Sequence, residues 1–162
     1  MTEPADLQVL IGELEDQQDR LQFDHFDNTD AWDLGVLLVS TARAEALPVT
    51  VDIRRHGHQL FHAALPGTAP DNDTWIERKI RVVNRFGSSS FLVGRRLALA
   101  GRTVDESAGL DPLLYAAHGG SFPVTVRGVG VVGTVTVSGL PQAQDHALVV
   151  RALEAFLQAP AA

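Results

Sequence analysis

The sequence predicts an α+β domain, with helices packed on a mostly antiparallel sheet of roughly five short strands. Two observations carry that prediction. Two pairs of β-prone segments are each joined by a short Gly-containing turn, and helical apolar stripes occur at both ends and in the middle of the chain. Size supplies a third: residues 1–162, 45% of them hydrophobic, suit a single domain that needs no disulfide or metal for stability.

At the N-terminus, Leu7, Leu10, Ile11 and Leu14 repeat at helical spacing, so Pro4 to Gln18 reads as a surface helix with one docking face. Leu21, Phe23 and Phe26 alternate briefly, as in a short strand. Asp27, Asn28, Thr29 and Asp30 are all N-cap residue types, and a helix follows from Ala31 to Leu47, before Pro48. Trp32, Leu34, Val36, Leu37, Leu38 and Val39 leave it no wide polar face. Such a helix is expected to lie between the sheet and another layer, or between subunits.

Val49–Arg55 and His58–Ala64 alternate around His56-Gly57, the length and chemistry of a two-residue hairpin turn. On that register Arg55 faces His58, Ile53 faces Leu60 and Val51 faces His62, while Phe61 falls on the face opposite Ile53. Thr74-Trp75-Ile76-Glu77 reads as a capping box opening a helix that Gly87 ends. Ser88 to Ala98 reads as a second helix, capped within Ser88-Ser89-Ser90. Asp111-Pro112 predicts a short helix stopped by Gly119-Gly120. Pro123–Arg127 and Val129–Ser138 form the strongest strand pair, with Gly128 at the turn. Pro141 to Leu157 closes the chain as a helix with Val149, Leu153, Phe156 and Leu157 on one stripe.

Composition excludes several functions. Thirteen Lys and Arg against twenty Asp and Glu give a net charge of −7, which disfavours nucleic acid or an anionic membrane as a partner. With no Cys there is no disulfide framework, thiolate zinc site or Cys nucleophile. The acidic N-terminus is unlike a targeting sequence, and the apolar stretch Val129–Leu140 is far short of the ~20 residues of a spanning helix. A cytoplasmic protein is expected. No Gly-x-Ser-x-Gly elbow surrounds the serines, and the glycines of Gly128–Gly133 do not open a helix, so neither a hydrolase nor a dinucleotide fold is indicated.

Candidate binding residues cluster in the last third. His118-Gly119-Gly120 pairs an imidazole with a turn whose backbone can approach a ligand or another element. Asp145 begins the apolar stripe of the last helix, which turns its carboxylate inward toward the N–H groups of the preceding turn. His146 is rotated about 100° from it, toward solvent or a subunit boundary. The two diverge, so they do not form an acid–base pair, and no catalytic residue is assigned. Arg78, Arg81 and Arg85 share one helical face, with Lys79 near the apolar stripe. Arg78 and Lys79 supply positive charge if they converge with Gly119 and Gly120. His56, His58 and His62 lack a carboxylate on the His58 face and are read as strand histidines, not metal ligands.

These motifs also carry a resemblance. Gly119-Gly120-Ser121-Phe122-Pro123-Val124, Gly128, Val132-Gly133 through Ser138-Gly139-Leu140-Pro141, and Asp145-His146-Ala147-Leu148-Val149 resemble the GlcG, HbpS and PduO C-terminal-domain family, known as the haem-degrading domain. Trp75-Ile76-Glu77-Arg78-Lys79 and Arg85-Phe86-Gly87-Ser88-Ser89 are similar to a small cytosolic branch of it. The resemblance runs from about Phe23 to Leu157 and implies a profilin-like α/β/α sandwich around a five-stranded antiparallel sheet. It also implies homo-oligomers and, for some relatives, haem or corrinoid binding. With no Cys and Met only at position 1, histidine is the main axial ligand available to haem here. Two functions are therefore expected: an oligomeric protein that binds haem or a small anionic metabolite through His118, Gly119, Gly120, Asp145, His146, Arg78 and Lys79, or an assembly protein without ligand chemistry.

Overall fold

The computed structural model describes residues 2–105 and 109–158. Its elements are α1 (Pro4–Arg20), α2 (Asn28–Ala44), β1 (Thr50–Arg55), β2 (His58–Ala64), α3 (Pro70–Phe86), α4 (Ser90–Leu99), β3 (Ser121–Val126), β4 (Gly130–Ser138) and α5 (Gln142–Gln158). The strands form one antiparallel sheet in the order β2-β1-β4-β3. Helices α2 and α5 cover one face, α3 and α4 pack toward the other, and α1 lies on α4.

Alternation along the strands makes the two faces chemically different. Val51, Ile53, Phe122, Val124, Val135 and Val137 are buried with Leu34 and Leu38 of α2 and Val149 and Leu153 of α5, forming the main apolar core. The opposite parity carries Thr50, Asp52, Ser121, Thr134, Thr136 and Ser138, all buried and polar. Asp52 is held by Arg54 at 2.9 and 3.2 Å and by Gln59 at 2.6 Å, and Arg54 reaches across to Glu77 of α3 at 2.5 Å. A polar layer therefore lies between the sheet and α3, and it is where the cavities described below occur.

The expected fifth strand shrinks to one parallel bridge between Phe23 and Val126, so the sheet has four strands. The Phe23 N–H donates to the Thr125 carbonyl and the Arg127 N–H to Phe23. The Phe23 ring is buried against Phe26 and Phe156, and the chain then turns into the Asp27–Asp30 capping box of α2, which ends the extended run.

The first hairpin has its expected turn, His56 and Gly57 both taking positive φ, at 49° and 79°. Its register follows expectation for Arg55–His58 and Arg54–Gln59 and differs beyond them. A shift between Ile53 and Arg54 leaves Leu60 unpaired and sets Ile53 opposite Phe61 and Val51 opposite Ala63. This β-bulge reverses parity, so Phe61 joins Ile53 on the α2 face, where its ring lies against Gly35 and 5.7 Å from Trp32. His62 moves to the other face and meets Asp73 of α3 at 2.8 Å.

Helix α3 begins at Pro70, four residues before the expected Thr74 box. Pro70 presets the first turn, and Asn72 Oδ1 accepts from the Ala69 N–H at 2.8 Å, while Glu77 is drawn to Arg54 and does no capping. Gly87 ends it as expected, its N–H bonded to the Val83 carbonyl. Ser89 caps α4 through the Leu92 N–H. The helix expected at Asp111-Pro112 is only a turn: Asp111 Oδ1 accepts from Leu113 and its carbonyl from Leu114 and Tyr115, but residues 116–118 do not continue the helix. On α2, Leu34, Leu38 and Ala42 face the core, while Trp32 is 61% and Val36 42% exposed on the outward side.

Candidate functional site

A cavity of about 230 Å³ opens where the N-terminal halves of α3 and α5 meet the end of β4. Asp71, Asn72, Trp75 and Lys79 come from α3, His118 from the loop before β3, Gly139 and Leu140 from the strand-to-helix turn, and Asp145 from α5. Both helices point their N-termini, and hence the positive ends of their dipoles, toward this region.

Lys79 is the buried cation of the site, 3% exposed. Its Nζ donates to the Asp145 carboxylate at 3.1 Å and to the Val137 carbonyl at 3.2 Å. Asp145 also accepts from the Leu140 N–H at 3.0 Å and the Gly139 N–H at 3.3 Å, the donors expected of an inward carboxylate at this turn. Burial pushes the Lys79 amine down from its ordinary range and the Asp145 carboxyl up, against the pull of their mutual attraction.

Gly120 lets this pair form. Its φ is 137°, a region L side chains rarely enter, and a methyl there would lie 2.7 Å from Lys79 Nζ and against the Val137 carbonyl. Gly119 packs on the start of α5, its N–H donating to Gln142 Oε1 at 3.1 Å. His118 stands exposed at the mouth, its ring 5.3 Å from that of Trp75. Partial burial of the ring, with Lys79, Arg78 and Arg95 nearby, lowers its pKa and favours the neutral imidazole.

Of the predicted residues, His118, Lys79 and Asp145 line the cavity and Gly119 and Gly120 back it. The arginine face does not converge with the glycine turn. Arg78 stacks on Trp75 at 4.3 Å and donates to the Pro112 carbonyl, and Arg81 donates to the Leu114 carbonyl, so both secure the 111–114 turn. Trp75, as a lining residue, was not singled out by the sequence. An aromatic at i with Arg at i+3 was the signal available.

His146 is the clearest correction. It does not reach solvent: the ring is 4% exposed between Phe91 at 5.0 Å and Phe122 at 6.0 Å, and Nε2 is 2.8 Å from Gln17 of α1. Helix α1 closes over this side of α5, a tertiary contact that no helical wheel of α5 contains. Burial lowers its pKa to about 4, and Nδ1 has no partner among the described residues. The unfolded chain takes up this proton near pH 6.5, so the stability due to neutral His146 is complete above that pH and is lost as pH falls toward 4. The expected loss is about 3 kcal/mol at pH 4, read as a falling urea midpoint that His146→Phe flattens.

Residues 26–154 match the family model described as haem degrading protein HbpS-like. The chain belongs to the HbpS-like family. A UPF0303 protein of Streptomyces coelicolor is 65% identical over 147 residues, covering 91% of this chain and 93% of the relative. The crystal structure of the Ybr137w protein shares 36% identity and a TM-score of 0.84, covering 90% of this chain and 86% of that one. The PduOC:heme complex shares the HbpS-like fold at a TM-score of 0.63 and 18% identity, over 80% of this chain and 94% of the other. Among the described residues, no helix is long and apolar enough to cross a membrane.

Proposed function

We propose that this HbpS-like chain is a cytosolic, oligomeric binding protein for a small anionic metabolite, seated between Trp75, His118 and Lys79, with no catalytic step. The observation that carries the reading is the buried Lys79 in the wall of an open cavity, facing the N-termini of α3 and α5. The N-termini of α3 and α5 favour a carboxylate, offsetting Asp71 in the lining and Asp145, which neutralises Lys79, and Trp75 offers a flat surface to its body.

Haem is the ligand that the family suggests, and the residues accommodate it only in part. Neutral His118 is an imidazole available to iron, but a cavity of about 230 Å³ is smaller than pockets of ~300 Å³ and upward that enclose drug-sized ligands. It cannot enclose a porphyrin within one chain. Two titrations separate the ligands. In a Trp32→Phe background, pyruvate and citrate are expected to quench Trp75 fluorescence, and His118→Ala to weaken the effect severalfold. A hemin Soret shift that disappears in His118→Ala would replace this reading with haem, and no response to any of the three removes both.

A second reading, an assembly protein without ligand chemistry, is favoured by Trp32 and Val36 standing exposed on α2. It expects an oligomer by light scattering that Trp32→Ala dissociates, with no ligand response. A micromolar monomer would count against both that reading and the oligomeric part of the first.

A further inference from the structure

A second cavity, of about 340 Å³, lies under the C-terminal half of α3 and shares no lining residue with the first. Ile80 and Asn84 of α3 form its roof, Arg54 of β1 and Thr134 of β4 its floor, and Val131 and Val132 its apolar side. We infer that this cavity is a binding site for an uncharged primary carboxamide on a compact apolar body.

Three independent features single it out. Thr134 is 1% exposed on the sheet face toward α3, and its hydroxyl has no hydrogen-bond partner among the described residues. A buried hydroxyl left without a partner is disfavoured by about 1–3 kcal/mol, so such a group at a cavity wall calls for an occupant that bonds to it. The second feature is distortion of the sheet here and nowhere else along β1. One register shift lies in β1, between Ile53 and Arg54 against β2, a second lies at Val132 where β4 pairs with β3, β1 and β4 pairing regularly between them, and the adjoining turn holds His56 at a φ of 49°. Bulges re-aim side chains and concentrate beside binding sites. The third is the state of Arg54. Its Nε and Nη2 are used by Asp52 and Glu77, which leaves the Nη1 hydrogens unused by these partners.

Charge selects the class of ligand. No carboxylate lines the cavity, but its guanidinium is already shared between Asp52 and Glu77, so its charge is neutralised and a further carboxylate at Arg54 would meet two like charges behind it. A carboxamide adds none. Its carbonyl can accept from Arg54 Nη1 and Thr134, its NH₂ can donate to the Asn84 carbonyl, and its body can cover Ile80, Val131 and Val132.

Isobutyramide and isobutyrate, matched in shape and differing in charge, test this in ¹H–¹⁵N spectra of the full chain. Isobutyramide is expected to shift Gly57, Gly133, Thr134 and the Asn84 side-chain amide, and isobutyrate to bind at least about tenfold more weakly. Thr134→Val removes one hydrogen bond without changing shape, so it should weaken the amide about tenfold while leaving thermal stability equal or higher. Asn84→Ala, on the exposed side of α3, should weaken it without affecting the fold. Absence of shifts at up to roughly 50 mM amide, a generous range for a fragment-sized ligand, would overturn the assignment. So would equal binding of the acid, or binding undiminished in both variants.

Discussion

Asp145→Ala is expected to destabilise the protein by about 3–5 kcal/mol, because it leaves the Lys79 ammonium buried without its counter-charge. Lys79 is 3% exposed and retains only the Val137 carbonyl, and the N–H groups of Gly139 and Leu140 lose their acceptor at the same time. Urea denaturation at pH 7 measures the change as a lower midpoint with an unchanged m-value. The double variant Lys79→Met, Asp145→Leu should recover much of the loss, since replacing both ions by apolar groups removes the uncompensated charge. A loss below about 1 kcal/mol for Asp145→Ala, as for an exposed pair, would show that the pair is hydrated in solution.

Gly120→Ala is expected to cost about 3 kcal/mol or more, combining backbone strain with overpacking. At a φ of 137° the new methyl crowds Lys79 Nζ and the Val137 carbonyl, so either the turn or the Lys79–Asp145 pair must move. Trp75 fluorescence should therefore lose its ligand response even in molecules that remain folded at low temperature. Gly12→Ala gives the opposite control. It lies within α1 with nothing near its added methyl, and should stabilise by up to about 1 kcal/mol. Equal effects of the two substitutions would refute the role given to Gly120.

Most of what the sequence revealed is local. The His56-Gly57 and Gly128 turns, the glycine stop at Gly87, the Ser89 cap and the α5 stripe all depend on residues within a few positions of one another. The inward Asp145 was legible for the same reason, since its position on the stripe and the N–H groups of residues 139 and 140 belong to one turn of chain. What was misread depended on distant partners. Glu77 looked like a capping residue until Arg54, from another element, claimed it. His146 looked free because α1, more than a hundred residues earlier, supplies Gln17 to cover it. The arginine face met the carbonyls of the 111–114 turn and not the glycines.

The sequence by itself determined the class of fold, the family, the order of the helices and strands that form, and a list of candidate residues that includes His118, Lys79 and Asp145. These follow from periodicity, turn chemistry and motif, which are written in adjacent residues. Only the tertiary structure decided that Phe61 shares a face with Ile53, that the sheet is apolar toward α2 and polar toward α3, and that two cavities open in the polar layer. A single bulge reverses the facing of every residue beyond it, and whether it forms depends on how β1, β2 and α2 pack together, with contributions spread over many long-range contacts.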